Sequence, residues 1–260
     1  MNNCILKAMA KKKKFKKDYI KVEQYRSDSD GSISSDDIDE LETNFLGQII
    51  NEQYIIIKYI GRGTFSKVWL IYDLIQDSFV IFKIYFPDDK SEFDAELKTL
   101  QQIKLKSTTR YNINYEGHLQ FKFPHNNELS NILILPYLGM SLSDVMKDKE
   151  QISLSECKYI IKQILISLSE LHQNQIVHTD LKLDNILSTY YFENNTEFIE
   201  WFKILNIINQ YKSLYVLNSP PEEKMLSLDK NKRKMMKRKI RKRTFNALSI
   251  YVKKQLTNYE

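Results

Sequence analysis

The chain has 260 residues, a hydrophobic content of 42% and a formal net charge of +6, which suit a globular protein and exclude a mainly disordered one. No apolar run approaches the roughly 20 residues of a membrane-spanning helix, and the N-terminal lysines follow the first apolar residues, the reverse of a secretory signal. Cys4 and Cys157 are too far apart in sequence to suggest a disulfide framework or a metal site. The composition predicts an intracellular protein, cytoplasmic or nuclear.

Charge is distributed in three blocks along the chain. Lysine dominates residues 7–17, acidic residues dominate 28–42, and Lys and Arg dominate 230–243. Such blocks are usually solvated segments and only sometimes interaction tails. Residues 1–44 also contain few large apolar side chains, which predicts a disordered arm and places the start of the fold near Phe45.

Three short runs of β-branched and aromatic residues come first in the folded part, at residues 54–60, 67–72 and 79–85. Their length and the close turns between them predict three antiparallel strands. Residues 91–105 then show the apolar spacing of a helix, which we expect to begin with Ser91 as its cap.

Two further strands, near residues 119–123 and 132–138, complete a predicted small lobe over residues 45–138. After it the pattern becomes helical. Residues 153–171 carry a broad apolar face that is typical of a buried helix. The segment 139–190 is therefore predicted to begin a second, helical lobe.

The character of the chain changes again after residue 190. The spacing predicts an amphipathic helix over residues 196–211, Pro220 and Pro221 end it, and the basic run 230–243 predicts another helix. We interpret residues 191–260 as a spacer-like helical and basic tail.

The turn between the first two strands carries two glycines. Glycine lets the backbone approach a triphosphate closely, its N–H groups can face the phosphate oxygens, and an aromatic residue at the tip excludes water. Ordinary hairpins also contain such turns, so the turn alone is weak evidence. The predicted nucleotide-binding residues here are Ile60, Gly61, Arg62, Gly63, Thr64, Phe65, Ser66, Lys67 and Val68. Of these, Ile60 and Val68 are expected to contact the adenine ring.

Lys83 lies within the apolar third strand. An unpaired buried ammonium is costly, so this lysine needs an anion. The α- and β-phosphates of a nucleotide would supply one, with Glu96 on the following helix holding the lysine in place. The alternative is a lysine that extends from a strand edge into solvent.

Residues 176–187 carry the most specific pattern in the chain. Asp180 is followed by Lys182 and then by Asn185, with an apolar pair directly after. This order provides a carboxylate for a hydroxyl proton, a lysine for the transferred phosphate and an amide for a magnesium ion. The alternative is a polar loop with turn hydrogen bonds only, but the order of glycine turn, strand lysine, helix glutamate and this loop favours phosphoryl transfer.

From about residue 45 to 188 these motifs resemble the eukaryotic protein-kinase superfamily, and within it the SR-protein (serine/arginine-rich protein) kinases. The narrower resemblance depends on Ser66 and Trp69 in the glycine turn and on Thr179, where most kinases have Arg. The Leu-Gly pair at the end of the fifth strand resembles that family's hinge. The Pro-Pro and the basic run after it resemble the start of that family's basic spacer.

The resemblance implies an α+β fold, with a five-stranded antiparallel small lobe plus a helix, followed by an incomplete helical large lobe. It implies ATP and Mg²⁺ as cofactors, Asp180 as catalytic base, Lys182 facing the phosphate and Asn185 as a metal ligand. The remaining roles that it implies at the nucleotide site are a Lys83–Glu96 ion pair, Ile81 against adenine, Leu138 in the hinge and Leu187 as the pocket floor.

Thr179 cannot pair with an activation-segment phosphate, which predicts activity independent of such phosphorylation. The chain departs from the family pattern in three places. Ile81 replaces a small Ala and should crowd adenine, and Leu183 replaces a Pro. The last glycine is Gly139, so no Asp-Phe-Gly follows Asn185. Magnesium then lacks a carboxylate and the γ-phosphate lacks positioning, and the apolar helix over 153–171 is expected to be exposed unless a partner covers it.

Three hypotheses remain open from the sequence. The first is a serine/threonine kinase of SR-protein type, represented by its N-terminal part, with an Arg/Ser-rich protein as substrate and a complementing C-terminal kinase fragment as partner. The second is an inactive pseudokinase that binds nucleotide or another protein. The third is a scaffold whose basic run, residues 230–243, binds nucleic acid or directs nuclear import.

Overall fold

The computed structural model describes residues 45–123, 129–148, 152–188 and 193–259, so the predicted arm over residues 1–44 lies outside the described part. The strands are β1 (Ile49–Ile50), β2 (Tyr54–Arg62), β3 (Ser66–Asp73), β4 (Ser78–Tyr85), β5 (Gly117–Lys122) and β6 (Leu129–Pro136). The helices are α1 (Lys90–Lys106), α2 (Leu142–Asp148), α3 (Leu154–Gln173), α4 (Glu193–Ile204), α5 (Ile207–Asn218), α6 (Glu222–Leu226) and α7 (Lys230–Tyr259). None of these helices is long and apolar enough to cross a membrane.

The strands form one antiparallel sheet in the order β1-β2-β3-β4-β6-β5. The five longer strands are those that the sequence predicts, and the two-residue β1 is an addition. Both faces of β3 are covered. Trp69 and Ile71 belong to one apolar cluster and Leu70 and Tyr72 to another, as the two-residue period of a strand requires.

The C-terminal helices α4 and α7 cover one face of the sheet. Phe198, Phe202, Leu248 and Val252 join Leu70 of β3 in a single apolar cluster. Five of the six buried positions of α7 recur at four-residue spacing along one side of the helix: Ile240, Thr244, Leu248, Val252 and Leu256, with Phe245 as the sixth. The interpretation of residues 191–260 as a tail did not anticipate this packing.

Helix boundaries depart from the sequence predictions in two places. The predicted Ser91 cap is wrong: α1 begins after Asp89, without a side-chain cap hydrogen bond, and the Ser91 hydroxyl bonds to Glu92 instead. The single helix predicted over residues 196–211 is two helices, because Asn206 adopts a left-handed backbone (φ 49°) between α4 and α5.

Much of the apolar face of the helix predicted over residues 153–171 is exposed, as we expect where no partner covers it. Helix α3 does form, and it begins with a capping box in which the Ser153 hydroxyl accepts from the Glu156 amide. Several of its apolar side chains, however, are exposed: Leu154 is 70% exposed, Ile161 53% and Leu165 59%, whereas Leu171 at its end is buried. These side chains are exposed because no helix in the described ranges covers that face of α3.

Candidate active site

A cavity of about 410 Å³ lies beneath the β2–β3 turn, between this turn, the end of β4 and helix α1. Its lining residues are Ile60, Gly61, Arg62, Gly63, Thr64, Phe65, Ser66, Val68, Lys83, Tyr85, Glu92 and Glu96. The structure therefore brings ten of the residues proposed for nucleotide binding around one cavity, from three separate elements. Tyr85 and Glu92 are lining residues that the sequence reasoning missed.

The glycine turn leaves open space at its first glycine. A Cβ added at Gly61 would meet no atom within 4 Å, and one added at Gly63 would lie 3.6 Å from the Ser66 hydroxyl. The Gly63 amide donates to the Ser66 carbonyl (2.8 Å), so this N–H is used within the turn. Phe65, at the tip, is 46% exposed. The turn thus presents accessible backbone to the cavity, with room for a ligand beside Gly61.

Lys83 and Glu96 form an ion pair across the cavity wall. The Lys83 Nζ lies 2.5 Å from the Glu96 Oε2, and the two side chains are 27% and 34% exposed. A β4 lysine and an α1 glutamate meet here because α1 packs its apolar side, through Phe93, against Tyr85 of β4. The pair holds an ammonium at the position where a bound phosphate would need a counter-charge.

Tyr85 is a second support for Glu96. Its hydroxyl donates to the same Glu96 Oε2 that accepts from Lys83. Burial, and then this hydrogen bond, raise the pKa of the Tyr85 hydroxyl well above its ordinary value, so it remains a donor. Tyr85 lies two residues after Lys83 and hence on the same face of β4, which is the signal that could have revealed it.

The predicted catalytic residues Asp180, Lys182 and Asn185 form a second cluster, in the segment 176–187 that we call the catalytic loop. The Asn185 Nδ2 donates to the Asp180 carboxylate (2.8 Å) and carbonyl (2.8 Å), and the Lys182 Nζ lies 3.2 Å from the same carboxylate. Lys182, and then Asn185, lower the pKa of Asp180, which is therefore ionised at neutral pH. A short 3₁₀ turn, Leu183–Asn185, directs Asn185 back to Asp180. Thr179, the residue before Asp180, adopts a left-handed backbone with a φ of 52°.

Glu170 fixes helix α3, which leads directly into the catalytic loop. Its carboxylate accepts from the Ser107 hydroxyl (2.6 Å), the Thr108 hydroxyl (2.8 Å), the Thr109 amide (3.1 Å) and the Asn112 amide group (2.8 Å). These donors, with Ser107 first and the Thr108 backbone second, lower the pKa of Glu170 to about 2. The loop after α1 is thereby clamped to α3.

Two more polar contacts reinforce this joint. The Gln102 side chain of α1 donates to the backbone carbonyl of Asn174 just after α3 (3.0 Å), and the Ser167 hydroxyl donates to the side-chain Oδ1 of Asn112 (2.5 Å). The joint is mostly polar, so its geometry depends on directed hydrogen bonds. It sets the position of the catalytic loop relative to α1.

The segment that follows the predicted hinge residue Leu138 pairs with the segment that contains the predicted floor residue Leu187. The Gly139 amide donates to the Ser188 carbonyl (2.7 Å) and Ser141 pairs with Leu187 in an antiparallel bridge. This bridge brings Leu187 beside the segment that follows Leu138. Leu187 is 47% exposed.

Other predicted residues lie apart from the cavity. Asp180, Lys182 and Asn185 are not among its lining residues. Ile81 is partly buried against the cluster that α4 and α7 form on the sheet. The residues that line the cavity and the cluster of Asp180, Lys182 and Asn185 are thus two separate groups of side chains in this structure.

The residues present fit a magnesium ion in part. Because the Asn185 Nδ2 is committed to Asp180, its Oδ1 remains as an oxygen acceptor of the kind that magnesium prefers. The described residues contain no group of three or more His, Cys, Asp or Glu side chains placed to hold a metal. Asn185, with the Asp180 carboxylate beside it, would therefore contribute only part of a coordination shell.

A model of the protein kinase domain matches residues 54–213, which is more than half of the chain. The chain therefore belongs to the protein kinase domain family. Its small lobe, with the lysine–glutamate pair beneath a glycine turn, and its helical continuation are the α+β architecture of this family.

The chain is similar to several curated kinases. Serine/threonine-protein kinase SKY1 of Saccharomyces cerevisiae is 30% identical over 145 residues, which are 52% of this chain and 20% of that protein. SRSF protein kinase 3 of Mus musculus is 28% identical over 205 residues, 73% of this chain and 35% of that protein. Serine/threonine-protein kinase Doa of Drosophila melanogaster is 28% identical over 163 residues, which are 60% of this chain and 19% of that protein. The matched part thus spans about a fifth to a third of these relatives.

A solved kinase-domain structure is 23% identical, with a TM-score of 0.47, and the match covers 55% of this chain and 42% of that one. Serine/threonine-protein kinase polo of Drosophila melanogaster, at 31% identity over 137 residues, has an identity similar to that of SRSF protein kinase 3, at 28% over 205 residues. Family membership is therefore shown at the level of the protein kinase domain.

Proposed function

We propose that this chain binds ATP beneath its glycine turn and serves in transfer of the γ-phosphate to serine or threonine of a protein. The observation that carries the proposal is the Lys83–Glu96 pair in the wall of the 410 Å³ cavity. An ammonium held 2.5 Å from a carboxylate and open to that cavity offers a fixed positive charge to phosphate oxygens.

The catalytic-loop cluster supports the transfer step. Asp180 is ionised, 64% exposed and oriented by Asn185 and Lys182, so it is accessible to the hydroxyl of a protein substrate. We assign it the role of accepting that proton, and Lys182 the role of facing the transferred phosphate. Bound magnesium would supply charge neutralisation at the phosphates, with Asn185 as one ligand.

A further kinase segment would complete the site. The sequence has no Asp-Phe-Gly after Asn185. The His178 Nδ1 is buried without a hydrogen-bond partner among the described residues, and such a group costs about 1–3 kcal/mol when unpaired. A segment that joins the catalytic loop, on the same polypeptide or a separate one, would supply both the second carboxylate and this partner.

Arg/Ser-rich proteins are the substrate class that we propose. Support comes from the resemblance in the glycine turn and at Thr179, and from the 73% of this chain that aligns with SRSF protein kinase 3. Thr179 offers no guanidinium to an activation-segment phosphate. Phosphatase treatment should therefore leave any activity unchanged.

Transfer of labelled phosphate from ATP to a synthetic Arg-Ser repeat peptide tests the proposal. Asp180→Asn should reduce transfer by about 10²-fold or more, as expected for loss of a general base, while ATP binding measured by thermal shift stays intact. A Lys-Ser repeat peptide of equal charge is the matched substrate control. Equal transfer to both peptides would contradict the Arg-Ser preference, and equal activity of Asp180→Asn would contradict the catalytic assignment.

A second candidate, nucleotide binding without transfer, is favoured by the separation of Asp180 from the cavity lining. It predicts that ATP stabilises the chain and that no phosphate reaches any peptide, even in wild type. Absence of ATP-dependent stabilisation would exclude both candidates.

A further inference from the structure

The N-terminal half of α7 carries an exposed basic surface. Residues 230–243 contain ten Lys and Arg residues and no acidic residue. In the described ranges, the ion pairs of this segment are Lys232 with Asp229 (3.3 Å) and Arg241 with Glu52 (2.5 Å). Most of the positive charge of this surface is therefore not balanced by any carboxylate that the structure describes.

Four of these cations share one side of the helix. Lys234, Arg238, Arg241 and Lys242 follow one another at four-, three- and one-residue intervals, so their side chains lie within one angular sector. All four are exposed. We call this set the basic stripe. Ser249, seven residues after Lys242, continues the same side of α7 toward its C-terminus.

The N-terminal end of the described chain is fixed beside this stripe. The Ser249 hydroxyl donates to the Gly47 carbonyl (2.6 Å). A Cβ added at Gly47 would lie 2.9 Å from Lys253, so the two backbones are in close contact. The chain therefore enters the fold next to the basic stripe, and the Glu52–Arg241 pair shows that one acidic side chain near this entry already binds the stripe.

An acidic segment directly precedes this entry. Residues 28–42 contain seven Asp and Glu residues and no Lys or Arg. Along α7, Arg241 is about 12 Å and Lys234 about 22 Å from Ser249, at 1.5 Å per residue. An extended chain reaches about 17 Å from Gly47 to residue 42 and about 37 Å to residue 36. The whole basic stripe is within reach of the acidic segment.

We propose that the acidic segment, residues 28–42, docks on the basic stripe of its own chain. Because the segment and the stripe belong to one chain, the contact is intramolecular, with an effective concentration in the millimolar range for a short connection. The attraction between the acidic segment and the basic stripe is strongest at low ionic strength, where salt screens it least. The docked segment shields the stripe from other polyanions, and phosphorylation of its serines would strengthen the contact by adding charge.

Cross-linking tests the contact directly. A zero-length carbodiimide reagent joins carboxylates to lysine amines that touch, and mass spectrometry of the full chain identifies the pairs. We expect links from residues 36–42 to Lys234 or Lys242 at low salt that disappear near 0.5 M salt, where the Debye length is only a few ångströms. Mixing isotopically labelled and unlabelled chains separates links within one chain from links between two. The Lys83–Glu96 pair is the internal positive control. The proposal would be overturned if the control link forms but no link joins the acidic segment to the basic stripe. Links that form only between two chains would overturn it as well.

Binding of a single-stranded oligouridylate gives the second readout. The variant D36N/D37N/D39N/E40Q should bind this RNA at least about fivefold more tightly than wild type, because the stripe is then uncovered. The control D88N/D94N/E197Q/E200Q carries the same change in net charge at exposed positions elsewhere and should bind like wild type. Equal affinity of all three proteins would overturn the proposal and leave the stripe open to nucleic acid in wild type. Equal tightening by both variants would show a net-charge effect alone, and it too would overturn the proposal.

Discussion

Replacing Lys83 with Met removes the cation of the proposed phosphate site and leaves the rest of the fold in place. Because the two side chains of the ion pair are 27% and 34% exposed, solvent screens them, and we expect a loss of less than about 1 kcal/mol in the free energy of unfolding. Glu96 keeps the Tyr85 hydroxyl as a donor. A charge-assisted contact to phosphate is worth about 1.5–3 kcal/mol, so the affinity for ATP should fall about 30-fold.

Thermal unfolding with and without MgATP measures both effects. At 100 times the dissociation constant, a ligand adds about 2.7 kcal/mol to the stability of wild type. With a 30-fold weaker dissociation constant, the same concentration adds only about 0.9 kcal/mol to Lys83→Met. At about 2–4 °C per kcal/mol for a domain of this size, the MgATP-dependent shift should fall from about 5–11 °C to about 2–4 °C.

Lys98→Met is the matched control, since Lys98 is exposed on α1 and does not line the cavity. It should keep the full MgATP-dependent shift. If Lys83→Met keeps that shift as well, the cavity is not where the phosphates bind. A basal destabilisation of several kcal/mol in Lys83→Met would instead show that the pair is a structural element of the lobe.

Three other predictions test the supports of the site. Gly61→Ala should leave stability nearly unchanged, since its Cβ meets no protein atom, but it should weaken ATP binding in isothermal titration because the methyl group occupies ligand space. Tyr85→Phe should lower the free energy of unfolding in urea by about 1 kcal/mol while the Lys83–Glu96 pair persists; an unchanged urea midpoint would contradict the hydrogen bond. The folded-state pKa of Glu170 is lowered to about 2, so its stabilisation is complete above the ordinary carboxyl pKa and is lost as pH falls toward 2. Unfolding midpoints of wild type and Glu170→Gln should therefore differ at pH 7 and converge between pH 5 and 2, and a constant difference would refute the clamp.

Local patterns predicted the sheet well. The strand runs and the break at Pro220 each depend on neighbouring residues only, so both could be predicted from local sequence. The pairing of Lys83 with Glu96 was implied by the resemblance to protein kinases, in which the lysine of this strand meets a glutamate of the following helix. Tyr85 was missed although its position two residues after Lys83 puts both side chains on one face of β4, because a shared face does not by itself show that both side chains donate to Glu96.

The packing of the C-terminal helices could not be read from local pattern in the same way. The basic residues of α7 suggest a solvated helix, and this charge obscures the four-residue spacing from Ile240 to Leu256 that fits the sheet. Whether a helix face is buried depends on which element packs against it. The apolar side of α7 packs against strands that lie almost 200 residues earlier in the chain. Helix α3 is the reverse case, since its broad apolar face is typical of a buried helix although much of that face is exposed among the described residues.

The bond between Ser249 and the Gly47 carbonyl joins positions 202 residues apart. During synthesis the strands emerge first, at about 5–20 residues per second, and one of their faces stays uncovered until α7 has left the ribosome. Contacts of such sequence separation slow folding, since a long loop must close before they form. The nascent chain therefore passes through a period in which an open, apolar sheet face is available to chaperones, and its yield in cells should depend on them.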